Sequence, residues 1–162
     1  MKKSKNSGIS LISLTITVIV LIIISSMLIY NAKNGIKMRN LNMMENDIEI
    51  LDDKINSYYV RYGALPIEIR YIGDINFTMQ PNDSGEYYVI DLKAIEGVTL
   101  NYGLDFNSIT NENDTLTKDD VYIIDAQSHH IYYARGIQQD GVWYYTTTVD
   151  SEVELQAKNQ SL

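Results

Sequence analysis

The stretch "ISLISLTITVIVLIIISSMLIY", residues 9–30, has neither a charge nor a proline over 22 residues. Coiled into an α-helix it would extend about 33 Å, against roughly 30 Å of bilayer hydrocarbon. Fourteen of its residues are Ile, Leu or Val, which contribute on the order of −4 to −8 kcal/mol toward insertion. Six Ser or Thr residues offset part of that gain without reversing it. A helix in the core of a water-soluble domain would carry a polar face, and this one has none. The segment therefore reads as a single membrane span. Lys2, Lys3 and Lys5 precede it, which predicts a cytoplasmic N-terminus and export of everything that follows. A secretory signal has a shorter apolar region ending in a small-x-small cut site. Here the run ends in Tyr30-Asn31-Ala32, bulky where a small residue is required, so the helix is expected to be kept.

Beyond the span the chain is acidic. The full sequence has 162 residues and a formal net charge of −8, and no acidic residue precedes Asn31. Such a domain repels phosphate backbones, which disfavours nucleic acid as a direct partner. The lack of cysteine excludes disulfides, thiolate metal sites, thiol catalysis and a lipid-anchoring cysteine. Thirteen tyrosines against two phenylalanines point to half-exposed strands or a wetted contact surface, ordinary strand composition being the simpler reading.

The helical pattern continues past the membrane. Leu41, Met44, Ile48, Leu51, Ile55, Tyr58 and Tyr62 recur at spacings of three and four, one face of a helix. Glu45, Asp47, Glu49, Asp52, Asp53 and Asn56 are assigned to the opposite, polar face. Gly63 supplies a C-cap and Pro66 forbids continuation. Gly35 is the weak point between the two halves, costing about 1 kcal/mol relative to Ala. The stripe suits packing on a sheet of the same chain better than a coiled coil, which would want more heptads.

After Pro66 the period shortens. Tyr87–Asp91 is a short strand or a helical turn; Val121–Ile124, Ile131–Ala134 and Val142–Thr148 are strands. Connections of roughly four and seven residues suit antiparallel hairpins. One face of this meander needs a cover, and the striped helix provides it. Residues 107–120 read as a polar surface loop, and 150–162 as a frayed or weakly helical tail. The fold class is thus α+β: one long N-terminal helix packed on a small antiparallel sheet. The expected organisation is a leader at 1–8, a membrane or filament-core half-helix at 9–30, and an amphipathic continuation and stop at 31–66. A globular head at 67–150 and a flexible tail at 151–162 complete it.

This layout, with the basic leader and Gly8-Ile9-Ser10-Leu11-Ile12-Ser13, resembles the type IV pilin and type II secretion pseudopilin superfamily. A second echo is Tyr58-Tyr59-Val60-Arg61-Tyr62-Gly63-Ala64-Leu65-Pro66, similar to the helix end of pseudopilins. The resemblance implies cleavage after Gly8 by a prepilin peptidase, with Ile9 becoming an N-methylated first residue. It also implies assembly with other pilin or pseudopilin subunits into a cell-surface filament. An inner-membrane platform with a cytoplasmic ATPase would extract the helix from lipid. The family's glutamate, fifth after the cut, is Ser13 here. A carboxylate in lipid needs a partner, whereas a serine hydroxyl bonds its own helix backbone. Loss of the acid resembles minor subunits at a filament tip. Ser25 and Ser26 are either points of close helix approach or simply lipid-facing positions. The alternative is a single-pass anchored extracellular binding protein that forms no filament.

An enzyme is the remaining class. His129 and His130 are the only histidines and, side by side on a hairpin, point to opposite faces. No nucleophile elbow or Gly-rich loop accompanies them, so no catalytic residue is expected. The loop with Asn111, Asn113, Asp114, Asp119 and Asp120 offers oxygen ligands that suit calcium, as in some pseudopilins. Lys118 among the acids and the lack of EF-hand spacing favour a solvated loop without a cofactor.

Overall fold

The computed structural model describes residues 11–149 and 152–159. The chain divides into two compact units, Met1–Met38 and Arg39–Leu162. A single helix, α1 (Leu11–Tyr62, 52 residues), contributes to both. It passes through Gly35 without interruption, and a side chain there would meet nothing within 4 Å. The stop is local. Gly63 adopts φ +68°, a left-handed conformation that costs a Cβ-bearing residue, and its N–H donates to the Tyr59 carbonyl at 2.8 Å.

Within the second unit the stripe of α1 forms one wall of a core. Leu41, Met44, Ile48, Leu51 and Ile55 are all buried. The stripe ends there, about two turns before the sequence pattern does. Tyr58 is half-buried and Tyr62 is 60% exposed, the two rings lying 4.5 Å apart against each other.

The sheet is antiparallel throughout and has seven strands: β1 (Ile67–Arg70), β2 (Tyr87–Ile90), β3 (Tyr122–Asp125), β4 (Ile131–Tyr133), β5 (Ile137–Gln139), β6 (Val142–Val149) and β7 (Glu152–Asn159). Their order is β1-β2-β3-β4-β6-β5, with β7 pairing β6. The expected β3-β4-β6 meander is at its centre, and the 87–91 segment resolves as a strand.

Three strands depart from the sequence reading. β1 lies just past Pro66 and pairs β2 through a register shift between Ile67 and Ile69. β5 occupies the seven-residue connection read as a loop. It returns to β6 through Asp140-Gly141, both at positive φ, the geometry that a tight hairpin between twisted strands demands. The expected frayed tail is β7 over Glu152–Asn159, paired residue for residue with β6 from Val142↔Asn159 to Val149↔Glu152.

Both faces of the sheet are covered, where the sequence reading expected one. Tyr122, Ile124, Ile131, Tyr133 and Ile90 join the α1 stripe in one core. Their strand neighbours Val121, Ile123, Tyr132 and Val89 point the other way, into a second core with Tyr71, Phe77, Ile109 and Tyr145. Phe77 stacks on Tyr132 at 4.0 Å and meets Tyr87 edge-on at 5.5 Å. Tyr71 and Phe77 come from the β1–β2 connection. Ile109 comes from the stretch between β2 and β3, where 3-10 helices span Leu104–Ser108 and Glu112–Leu116. The supposed surface loop at 107–120 is therefore partly core: Ile109, Thr115 and Asp120 are buried.

Leu51→Ala should destabilise the folded head by about 2–5 kcal/mol, and Tyr62→Ala by less than about 1 kcal/mol, in chemical denaturation of the full chain in detergent.

Candidate functional site

The largest exposed apolar surface among the described residues is the half of α1 before Lys33. From Leu14 to Tyr30 every large apolar side chain is exposed on all sides of the helix, Ile23 at 62% for example. No acidic or basic residue interrupts this surface. Two hydroxyl groups within it are turned back onto the helix backbone. Thr17 donates to the Ser13 carbonyl and Ser26 to the Ile22 carbonyl, each at 2.8 Å. The helix is long and apolar enough to cross a membrane. Ser13 lies on this surface, exposed, with its carbonyl already accepting from Thr17. Gly8 and Ile9, the expected processing site, lie outside the described residues.

The head is organised differently, around buried carboxylates. Asp47, assigned by sequence to the polar face of the helix, is 0% exposed. Its position is three residues after Met44 and four before Leu51, which places it on the buried face. It survives there because its oxygens are fully engaged. Oδ2 accepts from the Asn101 N–H (2.7 Å), the Tyr102 N–H (3.0 Å) and the Tyr122 hydroxyl (2.8 Å). Oδ1 accepts from the Asn101 side-chain amide at 2.8 Å. One carboxylate thus ties α1 to the loop before the first 3-10 helix and to the central strand β3. Burial, reinforced by the adjacent Asp47 carboxylate, pushes the Tyr122 hydroxyl pKa far upward, so it stays a donor.

Asp120 repeats the arrangement just before the start of β3. Oδ1 accepts from the Gly103 N–H (2.7 Å) and the Tyr133 hydroxyl (2.8 Å), and Oδ2 lies 3.2 Å from Arg135. Asp83 serves the second core. It accepts from the hydroxyls of Ser128 (2.6 Å), Tyr132 (2.6 Å) and Tyr87 (3.0 Å), and its Oδ1 is 2.7 Å from His130 Nδ1. Asp125 closes the β3–β4 turn. Its oxygens accept from the N–H groups of Gln127, Ser128 and Gly85 and from the Ser84 hydroxyl. Burial raises the pKa of Asp83 and of Asp125, but the hydrogen bonds outweigh it, and both end below the ordinary 3.8.

The two histidines go to different partners. His130 meets Asp83 in the second core, while the His129 ring, at φ +64°, contacts Tyr59 of α1 edge-on at 4.9 Å. Ser128 is on Asp83 and Asp125, so no serine–histidine relay is formed by this pair.

The residues considered for calcium divide into two local structures. Asn111 caps the Glu112–Leu116 helix, its side chain accepting from the Asn113 N–H at 3.0 Å. Asp114 completes the capping box and accepts from the Thr110 N–H (2.8 Å) and hydroxyl (2.9 Å). Lys118 lies 3.7 Å from Asp114. Asp119 and Asp120 instead hold Arg135, with Arg135 Nε 2.7 Å from Asp119. Among the described residues no group of three or more His, Asp or Glu is gathered as for a metal.

A cleft of about 550 Å³ opens beside Arg135, between the β1–β2 connection, the Glu112–Leu116 region and strands β6 and β7. Trp143, Tyr145 and Tyr71 line it together with Asp74, Asp119 and Lys158. Its wall is assembled from stretches far apart in the chain, from Tyr71 to Lys158, which no local sequence pattern brings together. No family model, no curated protein and no solved structure matches the chain.

Two consequences follow for the buried carboxylates. Asp47→Ala leaves two backbone N–H groups and a buried tyrosine hydroxyl without their acceptor, and should cost about 3 kcal/mol or more. Tyr122→Phe removes one donor and should cost about 1–2 kcal/mol; both are read by denaturant titration. For Asp83 and Asp125 the folded-state values lie below the unfolded one. Their stabilisation is therefore complete above 3.8 and is lost as pH falls through the folded values. The melting temperature should drop steeply below about pH 4. The Asp83→Asn variant should melt lower at neutral pH and show a shallower acid slope.

Proposed function

We propose that this protein is a non-catalytic structural subunit of a type IV pilus or type II secretion-like pseudopilus. In this reading a prepilin peptidase cuts after Gly8, Ile9 becomes the methylated N-terminus, and the head faces the outside of the cell. The observation that supports it best is the single helix α1. Its first half is exposed and apolar on every side, and its second half buries one stripe under an antiparallel sheet. An apolar half-helix of this kind has two suitable surroundings, lipid and a bundle of like helices. A filament subunit must exchange one for the other. Because apolar helices gain little from each other in lipid through the hydrophobic effect, close packing must drive the exchange. A cytoplasmic ATPase acting through a membrane platform would supply the work of extraction.

Ser13 makes this a minor, tip-type or priming subunit rather than the bulk fibre protein. A subunit without the carboxylate has nothing with which to neutralise the amine of a neighbour, a role dispensable where the filament begins. The rival reading is a single-pass anchored binding protein without a filament, and the cleft beside Arg135 is the feature that favours it.

Mass spectrometry of the N-terminal peptide from purified membranes separates the two. A mature chain beginning at Ile9, with a methyl group on its amine, is the expected result. An intact leader beginning at Met1 would refute processing and leave the plain anchor. A second measurement addresses the minor role: in filaments sheared from the cell surface this chain should be scarce relative to a bulk subunit.

A further inference from the structure

We infer that the cleft beside Arg135 is a binding site for a neutral saccharide of a few rings. Its volume of about 550 Å³ falls in the range of small-molecule sites. One wall is aromatic. The half-buried Trp143 stacks on the buried Tyr145, ring centres 6.4 Å apart and planes inclined by 20°, and Tyr71 lines the cleft with them. The exposed part of the Trp143 ring offers a π-surface to the C–H face of a pyranose, whose slightly positive hydrogens meet its negative face.

The charges in the cleft cancel. Asp74 and Asp119 stand against Arg135 and Lys158. The two cations are also occupied: Arg135 is 2.7 Å from Asp119, 3.2 Å from Asp120 and 3.3 Å from Asp105. The Lys158 ammonium donates to the Asn76 carbonyl at 2.9 Å. A phosphate or sulfate would have to compete with these carboxylates, whereas a hydroxyl-rich neutral ligand would not. Polar groups for hydroxyls are at hand. Among the described residues no hydrogen bond engages the Trp143 indole N–H or the Tyr145 hydroxyl. Asp74 is exposed at the rim, and its carboxylate suits a pair of adjacent sugar hydroxyls.

The site is pinned as well as shaped. β7 is held to the β1–β2 connection by Gln156, whose side chain bonds both the N–H and the carbonyl of Thr78 at 2.9 Å. The Lys158–Asn76 contact fastens the same two segments at the cleft itself. A preorganised wall lowers the ordering cost of binding. The inference is independent of filament assembly; an anchored head and a filament tip would both present this cleft.

Trp143 is the chain's single tryptophan, so its emission reports on the cleft directly. The full chain is taken up in a detergent without a sugar headgroup and titrated with cellobiose, maltose and N,N′-diacetylchitobiose. A sulfated heparin disaccharide and inorganic phosphate serve as charged probes. A saturable change in emission with at least one neutral disaccharide, at up to about 10 mM, is expected. By calorimetry the Asp74→Ala and Trp143→Ala variants should bind that sugar at least about tenfold more weakly. Asp74→Ala, at an exposed position, should keep the wild-type melting temperature. No response to any neutral sugar, a response to the charged probes alone, or undiminished binding by Asp74→Ala and Trp143→Ala would each overturn the assignment.

Discussion

A carboxylate inside a helix stripe is the constraint on which the head depends. Asp47 belongs to the same face as Met44, Ile48 and Leu51, and it is as buried as they are. Left unpaired it would cost more than the surrounding burial could offset. Its partners are fixed backbone N–H groups at Asn101 and Tyr102 and the hydroxyl of Tyr122 on β3. Those partners exist only when α1 sits at one height and one rotation against the sheet. Apolar packing alone tolerates sliding by a turn; this set of bonds does not. The same device recurs with Asp120 and Tyr133, and with Asp83, Tyr87 and Tyr132. The tyrosine-rich composition is thereby explained. The strands carry rings that fill two cores and hydroxyls that satisfy buried aspartates. A chain without cysteine obtains its cross-links in this way.

The two halves of α1 suit different solvents. Before Lys33 the sequence is apolar around the whole circumference, which water cannot accommodate and hydrocarbon can. After Leu41 the apolar residues narrow to a stripe, because one side meets the sheet and the other meets water. The polar links that organise the head are absent from the first half among the described residues, where Thr17 and Ser26 turn their hydroxyls back onto the helix. That arrangement leaves shape, not hydrogen bonding, to decide what this surface packs against.

Much of the architecture was legible where one strong period dominates. The membrane-length run, the stripe from Leu41 to Ile55, the Gly63 stop and strands β3, β4 and β6 all follow from residue spacing. Asp47 was misplaced because its charge was weighed above its position, although the intervals to Met44 and Leu51 put it on the stripe. The second core had a signal too. Val121–Ile124 and Ile131–Ala134 are unbroken apolar runs, the pattern of strands buried on both faces rather than one. β7 alternates Val153, Leu155 and Ala157 with charged or polar residues, a strand period hidden by its weak hydrophobicity. β5 spans three residues between glycines, too short for any period to register. The cleft could not be read at all, since its walls come from five separate stretches between Tyr71 and Lys158 that only the folded sheet brings together.

The account stands on α1 being one helix with two environments, and site-directed spin labelling along it tests this directly. Labels placed one at a time from Leu14 to Ile55 in the membrane-reconstituted full chain are read for collision with oxygen, which favours lipid, and with a water-soluble nickel chelate. The prediction is high oxygen and negligible nickel accessibility at every position from Leu14 to Leu28. From Leu41 to Ile55 accessibility should instead oscillate with a period of about 3.6 residues, with minima at Leu41, Met44, Asp47, Ile48, Leu51 and Ile55. Nickel accessibility recurring within the first segment, or no oscillation in the second, would contradict the account.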